Sequence, residues 1–365
     1  MNRELLRKID RIHPYPAKFP LELAIKYIEK YTKEKEVVYD PFMGAGTTLL
    51  ACSLLNRYGF GSDINHIGVL ISKFKLLKLE LNEISELERF IDDIKRASVD
   101  DFKNCDKFFY DSINHWFCNE SICVLSYLKK EINKFSNDKL IIFCNLVLSS
   151  IINVVSNQES DTRYAAVKKD NLSIENIIGI FVKKFDLILN LYKEFNPINR
   201  TSTIENAQLL NSKNCSLLLK ENNVDFILTS PPYINTYDYY LYHKHRMNWL
   251  GYDVKYSMYN EIGSRREFSS LKRNENVFID DLFEIFEKTN DYLKRDGHIV
   301  IVIGDGKVSG KMFDAKENIV KLCTKLNWEV VDYEHTLLEK TSKSFQKFHT
   351  SQGKKEHIIT FKKVK

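Results

Sequence analysis

The sequence predicts an α/β protein: a mostly parallel sheet that ends in an antiparallel hairpin, with a helical insertion. Three observations carry that expectation. Short apolar runs at 36–42, 59–64, 224–229 and 298–303 alternate with helical patterns, as parallel strands joined by crossover helices do. Two further strand-like runs, 328–338 and 357–362, have only a polar connection between them and so pair antiparallel at a sheet edge. From Ile67 to about Asn196 the apolar residues instead recur at helical spacing.

Taken in order, Pro20 suits the start of a helix over 21–31, with Leu21, Ala24, Ile25, Ile28 and Tyr31 on one face. Residues 36–42 read as a buried strand, 47–56 as the helix after it and 59–64 as a second strand. In the helical region Ile84, Leu87, Ile91 and Ile94 form one stripe. Ile174, Ile178, Phe181 and Phe185 form another, behind an N-cap at Ser173. The most apolar segment, 140–155, carries a polar stripe of Asn145, Ser149 and Asn153. It is shorter than the ~20 residues of a bilayer span, so it reads as a core helix. Residues 201–207 read as a third strand and 224–229 as the next, followed by a loop and a helix over 281–293. Unbroken Ile and Val at 298–303 mark a central strand, and 312–327 a helix. The organisation expected is a sheet domain from 1–66 and 201–365, interrupted by a helical insertion over 67–200.

Composition bounds the function without naming it. With 44% apolar and 28% charged residues the chain is of folded, soluble type, and a net charge of +5 permits a polyanionic partner without requiring one. The seven cysteines form no CxxC pair, which argues against a zinc or disulfide framework and for a reducing, cytoplasmic setting. The first 13 residues alternate charge with Leu and Ile and lack an apolar signal stretch. No His/acid cluster has ligand spacing, so no metal is expected.

Two loops carry chemistry. In Tyr39-Asp40-Pro41-Phe42-Met43-Gly44-Ala45-Gly46-Thr47-Thr48 a buried strand ends in an acid. Two glycines then allow a tight turn and close approach to a ligand, and a helix N-terminus faces the same crevice. Asp63, at the end of the next strand, can accept hydrogen bonds from both hydroxyls of an adenosine ribose. The loop lacks the third glycine of a dinucleotide site and the Lys of a P-loop. Asp40 repels phosphate but attracts an ammonium, and S-adenosylmethionine has that ammonium and no phosphate. In the second loop, Thr229-Ser230-Pro231-Pro232-Tyr233, a buried strand runs into two prolines that hold the chain rigid. The Ser230 hydroxyl and the Pro231 carbonyl can accept both protons of an exocyclic amine and aim its lone pair. Tyr233 offers a stacking face worth roughly 1–3 kcal/mol.

Both loops resemble motifs of the amino-methyltransferases of bacterial restriction-modification systems. Asp40 to Thr48 looks like their first cofactor motif, and Thr229-Ser230-Pro231-Pro232-Tyr233 like their catalytic motif, with the Ser of its cytosine-N4 form; an Asp or Asn in place of the Ser is typical of the adenine-N6 branch. The segment His13-Pro14-Tyr15-Pro16-Ala17-Lys18-Phe19-Pro20 is similar to the one bordering the methionine end of the cofactor. Also familiar from bacterial members are 115–117, 160–164, 239–247 and 249–251.

The resemblance implies a Rossmann-like S-adenosylmethionine-dependent methyltransferase that modifies cytosine N4 in double-stranded DNA, paired in function with a restriction endonuclease. It implies cofactor contacts at Tyr15, Pro16, Lys18, Asp40, Phe42, Gly44, Gly46, Thr47, Thr48 and Asp63, and an adenine contact at Asn206. Adenine-N6 methylation, RNA base methylation and a non-catalytic binding module are the alternatives. Methylation at cytosine C5 is disfavoured, because that chemistry uses a Pro-Cys loop and no Pro-Cys pair occurs.

Target recognition is expected from 67–200 or from 234–276, the latter containing Arg265, Arg266, Lys272 and Arg273. Candidate DNA contacts are Arg163, His243, Arg265, Arg266 and the basic run 340–355. Asp161 with Arg163 is either an ion pair or part of a target pocket, and Asp305 reads as a turn residue.

Overall fold

The computed structural model describes residues 3–196, 201–219, 223–337 and 354–364, and the chain divides into two compact units. One holds residues 16–72, 200–239 and 256–365; the other holds 1–15, 73–199 and 240–255.

The first unit is built on a seven-stranded sheet. β1 (Val37–Asp40) lies inside it. β2 (Tyr58–Asp63) pairs parallel with β1, Val38 opposite Gly59, and β3 (Ala207–Leu209) continues outward, Ala207 opposite Gly61. On the other side of β1, β4 (Val224–Thr229) is parallel with Phe226 opposite Val38, and β5 (Leu293–Gly304) follows with Ile299 opposite Ile227. β6 (Trp328–Leu337) forms the far edge, and β7 (Lys355–Lys363) sits between β6 and β5, antiparallel to both. The order is β6-β7-β5-β4-β1-β2-β3. This is the mostly parallel, Rossmann-like sheet with an antiparallel C-terminal hairpin that the sequence predicts.

The chain leaves β1 toward β2 and returns on the opposite side to β4. Strand order therefore reverses between β1 and β4, and a crevice opens at the carboxyl ends of strands at such a reversal. The sheet is held by an apolar core that includes Tyr39, Ile227, Ile299, Ile301, Ile303, Phe286, Trp328 and Phe361. Helix Leu21–Tyr31 packs on helix Thr47–Leu54, and Glu275–Asn290 packs on Ala315–Thr324.

Three boundaries differ from the sequence reading. Residues 204–206 form a 3-10 turn and the third strand begins only at Ala207, because Asn206 caps its own turn by accepting from Thr203 N at 2.8 Å. Residues 306–308 and 311–313 form a small hairpin where a helix was expected from Met312. Ser309 and Gly310, with φ of 49° and 82°, make the tight two-residue turn that joins its strands. The helix expected from 281 starts at Glu275, behind Asn274, whose side chain accepts from Asn276 N.

The helical unit packs Leu81–Arg96, Asn119–Ile132, Asp138–Ile152 and Ile174–Phe195 around the rings of Phe74, Phe143, Phe181, Phe185 and Tyr192. Ser173 caps the last of these helices as expected, while Ile177 rather than Ile178 takes the fully buried position. A short hairpin, Gln158–Ser160 with Arg163–Ala166, was not legible: strands of three and four residues are too brief to alternate. Residues 3–15 and 240–255, which the sequence places with the sheet, fold with these helices. Among the described residues no helix is long and apolar enough to cross a membrane. The basic run 340–355 lies outside the described residues up to 353.

Candidate active site at the strand reversal

β1 ends in Asp40, which is buried. Its Oδ1 accepts from Phe42 N at 3.1 Å and Thr229 Oγ1 at 2.7 Å, and its Oδ2 from Thr48 Oγ1 at 2.6 Å. All three donors are neutral. Burial pushes the carboxyl up to about 6, although each of these bonds pulls the other way. Asp63, half-buried at the end of β2, accepts from Gly44 N and Asn65 N at 2.8 Å each, and burial likewise pushes it up to about 6. One acid thus braces the glycine loop from below and the other from the next strand.

The loop has no room for larger residues. Gly44 and Gly46 have φ of 48° and 73°. A Cβ on Gly46 would lie 2.5 Å from Ser72 Oγ and 2.9 Å from its Cα. Ser72 Oγ in turn donates to Gly44 O at 2.9 Å. Beneath the loop, Tyr39, Ser62 and Ser212 form a chain of hydroxyl contacts, and Ser212 donates to Pro41 O. Thr47 and Thr48 are buried in the first turn of the following helix, and half-buried Phe42 meets Phe286 edge-on.

β4 buries Phe226 through Thr229 and then turns out into half-buried Ser230, buried Pro231 and half-buried Pro232 and Tyr233. Tyr233 Oη donates to Glu356 Oε1 at 2.6 Å. Burial and then Glu356 push this phenol well above its ordinary value, so it stays protonated. Beside the ring lies Gly304, where a Cβ would fall 2.5 Å from Tyr233 Cε2. The loop continues through Asn235, which donates from Nδ2 to Lys307 O at 2.7 Å and from its amide to Gly263 O at 2.7 Å.

The bond from Thr229 to Asp40 joins the ends of β4 and β1, so the structure brings the two loops together. Pro16 and Lys18 are half-buried in the segment before Leu21–Tyr31. Asn206 turns its Oδ1 onto Thr203, and the Tyr15 ring stacks on His243 at 5.2 Å.

Of the expected DNA contacts, His243 is corrected. It is fully buried, between the Tyr15 ring and the Arg246 guanidinium, and has no face for a phosphate. Arg163 is exposed and pairs with Glu159 at 2.8 Å, not with Asp161. Asp161 instead pairs with buried Arg246, which also donates to Ser149 O at 2.9 Å. Burial would raise the Asp161 carboxyl, but the Arg246 charge outweighs it and the group lies below its ordinary value. Arg265 and Arg266 are half-buried on helix Arg265–Ser269.

Asp305 is more than a turn residue. It accepts from Ala315 N, Lys355 N and His357 Nε2 at 2.9–3.0 Å, and with Asp314 and His357 it forms a compact His/acid group that the sequence spacing did not reveal. Its oxygens are occupied by those bonds, and His357 Nδ1 meets Tyr333 Oη at 2.9 Å, so the group works as a clamp between β5 and β7. Sequence reasoning missed Gly304 and Glu356, and it placed Thr229 in the Ser-Pro-Pro-Tyr loop without its bond to Asp40.

Residues 2–73 match the N6_N4_Mtase family, described as DNA methylase. The chain is 27% identical over 300 residues to the type II methyltransferase M.MvaI of Kocuria varians, covering 75% of this chain and 64% of the relative. It is 23% identical to the type II methyltransferase M.MjaII of Methanocaldococcus jannaschii, covering 87% and 76%. A solved S-adenosylmethionine-dependent methyltransferase structure from Methanosarcina mazei aligns over 96% of this chain and 99% of that one, at 9% identity and a TM-score of 0.37. The family match and the two type II relatives bear out the resemblance to restriction-modification amino-methyltransferases.

Proposed function

We propose that this chain is a DNA methyltransferase of the amino-methylating type, using S-adenosylmethionine, with the N4 of cytosine as its target. The observation that carries the proposal is the 2.7 Å bond between Thr229 and Asp40, since it sets a loop suited to an adenosyl amino acid beside a loop suited to an amine.

The residues fit the cofactor. Asp40 and Asp63 supply two carboxylates held by uncharged donors, suited to an ammonium and to ribose hydroxyls. Gly44 and Gly46 bare the backbone between them, and Phe42 lies on the adenosine side. S-adenosylmethionine, when bound, supplies an electrophilic methyl group on a sulfonium. Ser230 Oγ and the Pro231 carbonyl accept from the two amine N–H groups and so localise the nitrogen lone pair. Pro231 and Pro232 keep those acceptors from moving, and Tyr233 stacks on the base. With the methyl donor held by Asp40, Asp63 and the glycine loop, the lone pair aimed by Ser230 and Pro231 would take the methyl group as its bond to sulfur breaks, and the nitrogen would release one proton to solvent. Catalysis of this kind rests on positioning and electrostatics. It needs the target base turned out of the duplex.

The Ser at 230 favours cytosine N4, because its hydroxyl makes the motif resemble the cytosine branch. The helical region 67–200 and the segment 234–276 are the proposed readers of the target sequence. A partner endonuclease is the proposed biological setting. Mass analysis of nucleosides from DNA incubated with protein and cofactor tests this reading. N4-methylcytosine is expected; N6-methyladenine would move the target, and absence of either from DNA, with methylation of RNA, would overturn it.

A further inference from the structure

We propose that Glu356 is a positioning residue for methyl transfer: it holds the Tyr233 ring at the angle from which the target base is stacked. The inference rests on the function proposed above. Tyr233 Oη is 2.6 Å from Glu356 Oε1, across 123 residues of sequence. A phenol can swing about χ1 unless its hydroxyl tip is fixed, and can turn about χ2 unless a ring edge is blocked. Here one edge of the ring lies on Gly304, where even a methyl group would collide, and the hydroxyl end is tied to a carboxylate. The ring is thereby held at both ends, with its polar tip anchored to the sheet.

The anchor is itself held. Lys355 and His357, which flank Glu356, are both bonded to Asp305 at the end of β5: Lys355 N donates to Asp305 Oδ2, Asp305 N donates to Lys355 O, and His357 Nε2 meets Asp305 Oδ1. Tyr333 Oη, on β6, closes on His357 Nδ1 at 2.9 Å. β5 and β6, both antiparallel to β7, therefore brace the backbone that carries Glu356. Glu356 accepts from a neutral, protonated phenol, so its part is geometric, and an uncharged acceptor of the same length serves as well.

The test uses the full-length protein with Glu356→Gln, Glu356→Leu, Tyr233→Phe and the double variant Tyr233→Phe/Glu356→Leu. Glu356→Leu is expected to lower kcat about 10-fold to 100-fold, the scale of a reacting group displaced by about 1 Å, with cofactor Kd unchanged. Glu356→Gln is expected to restore most of the lost rate. In the Tyr233→Phe background Glu356→Leu should cost little more, because the bond it removes is already gone. NMR of 13C-labelled tyrosine supplies a readout independent of turnover: three-bond couplings across χ1 of Tyr233 should report a single rotamer in the parent and an average of rotamers in Glu356→Leu. An unchanged kcat and an unchanged χ1 rotamer in Glu356→Leu would overturn the proposal, as would additive losses in the double variant. If the parent transfers no methyl group at all, the proposed function fails instead, and the χ1 rotamer alone decides whether Glu356 fixes the ring.

Discussion

The two loops at the strand reversal are fastened differently. The glycine loop after β1 is held mostly by near neighbours: Phe42 and Thr48 bond to Asp40, Asp63 reaches back 19 residues to Gly44, and Ser72 reaches 28; Thr229 and Ser212 add bonds to Asp40 and Pro41 across 189 and 171 residues. The loop after β4 is held from far away: Lys307 takes Asn235 across 72 residues and Glu356 takes Tyr233 across 123. The bonds on Gly44 itself come from Asp63 and Ser72, close along the chain. The second loop's supports exist only once β5 and β7 have docked. Substitutions that disturb the outer sheet should therefore damage transfer while sparing cofactor binding, and substitutions in the glycine loop should do the reverse.

The sharpest break in that comparison is a pair of glycine substitutions. Gly46→Ala forces a left-handed residue to carry a Cβ 2.9 Å from the Ser72 backbone, so the loop must shift. Cofactor affinity is expected to fall on the order of 100-fold, equivalent to about 2.7 kcal/mol, measured by calorimetric titration. Gly304→Ala drives a methyl group into the Tyr233 ring instead. Its kcat should fall about 10-fold to 100-fold while cofactor Kd stays within about 3-fold of the parent. Loss of both properties in both variants would erase the contrast.

A second separation comes from pH. Burial raises the Asp40 and Asp63 carboxyls to about 6 in the free protein. For folding, the sign is that of raised acids: the contribution to stability is full below the ordinary carboxylate pKa of about 4 and fades as pH rises through about 6. Cofactor binding has the opposite sign, since an ammonium and ribose hydroxyls favour the ionised carboxylates. Affinity should drop as pH is lowered, about 10-fold between pH 7 and pH 5 if one group governs and more if both do. Thr229→Val removes one of the bonds that lower the Asp40 pKa. That fall should then begin at higher pH, with affinity at pH 7 reduced about 3-fold to 10-fold. A profile identical to the parent's would mean that Thr229 does not tune Asp40.

This contrast also explains how much could be read from the sequence. Asp40, Gly44, Gly46 and Asp63 stand on two consecutive strands, and their spacing alone places them at neighbouring strand ends. Ser230 to Tyr233 is legible as a motif, but its supports are not. Gly304 ends a strand whose apolar run gives no reason to single it out, and Glu356 is one charged residue in a basic, polar stretch. His243 misled for the same reason. A histidine among tyrosines and basic residues reads as a surface contact, and only packing reveals that Tyr15 and Arg246 enclose it. The antiparallel hairpin was legible because a missing crossover helix is a local observation. The strands at 158–160, 163–166, 306–308 and 311–313 were too short to leave a pattern.

The smallest expected effects lie outside both loops and test where duplex DNA is held. Arg265 and Arg266 are half-buried and fixed on a short helix, with the Arg266 guanidinium over the Tyr259 ring at 5.7 Å, whereas Arg163 is exposed and already paired with Glu159. A prepositioned arginine gives up little freedom on meeting a phosphate; a paired one must first release its carboxylate. Arg265→Ala and Arg266→Ala should each weaken DNA binding by about 3-fold to 10-fold and reduce the slope of log K against log salt by about 0.9. Arg163→Ala should change affinity less than about 2-fold and leave the slope alone. Titrations of labelled duplex at several salt concentrations separate these outcomes: a larger slope change for Arg163 than for Arg265 and Arg266 would move the phosphate contacts to the helical unit.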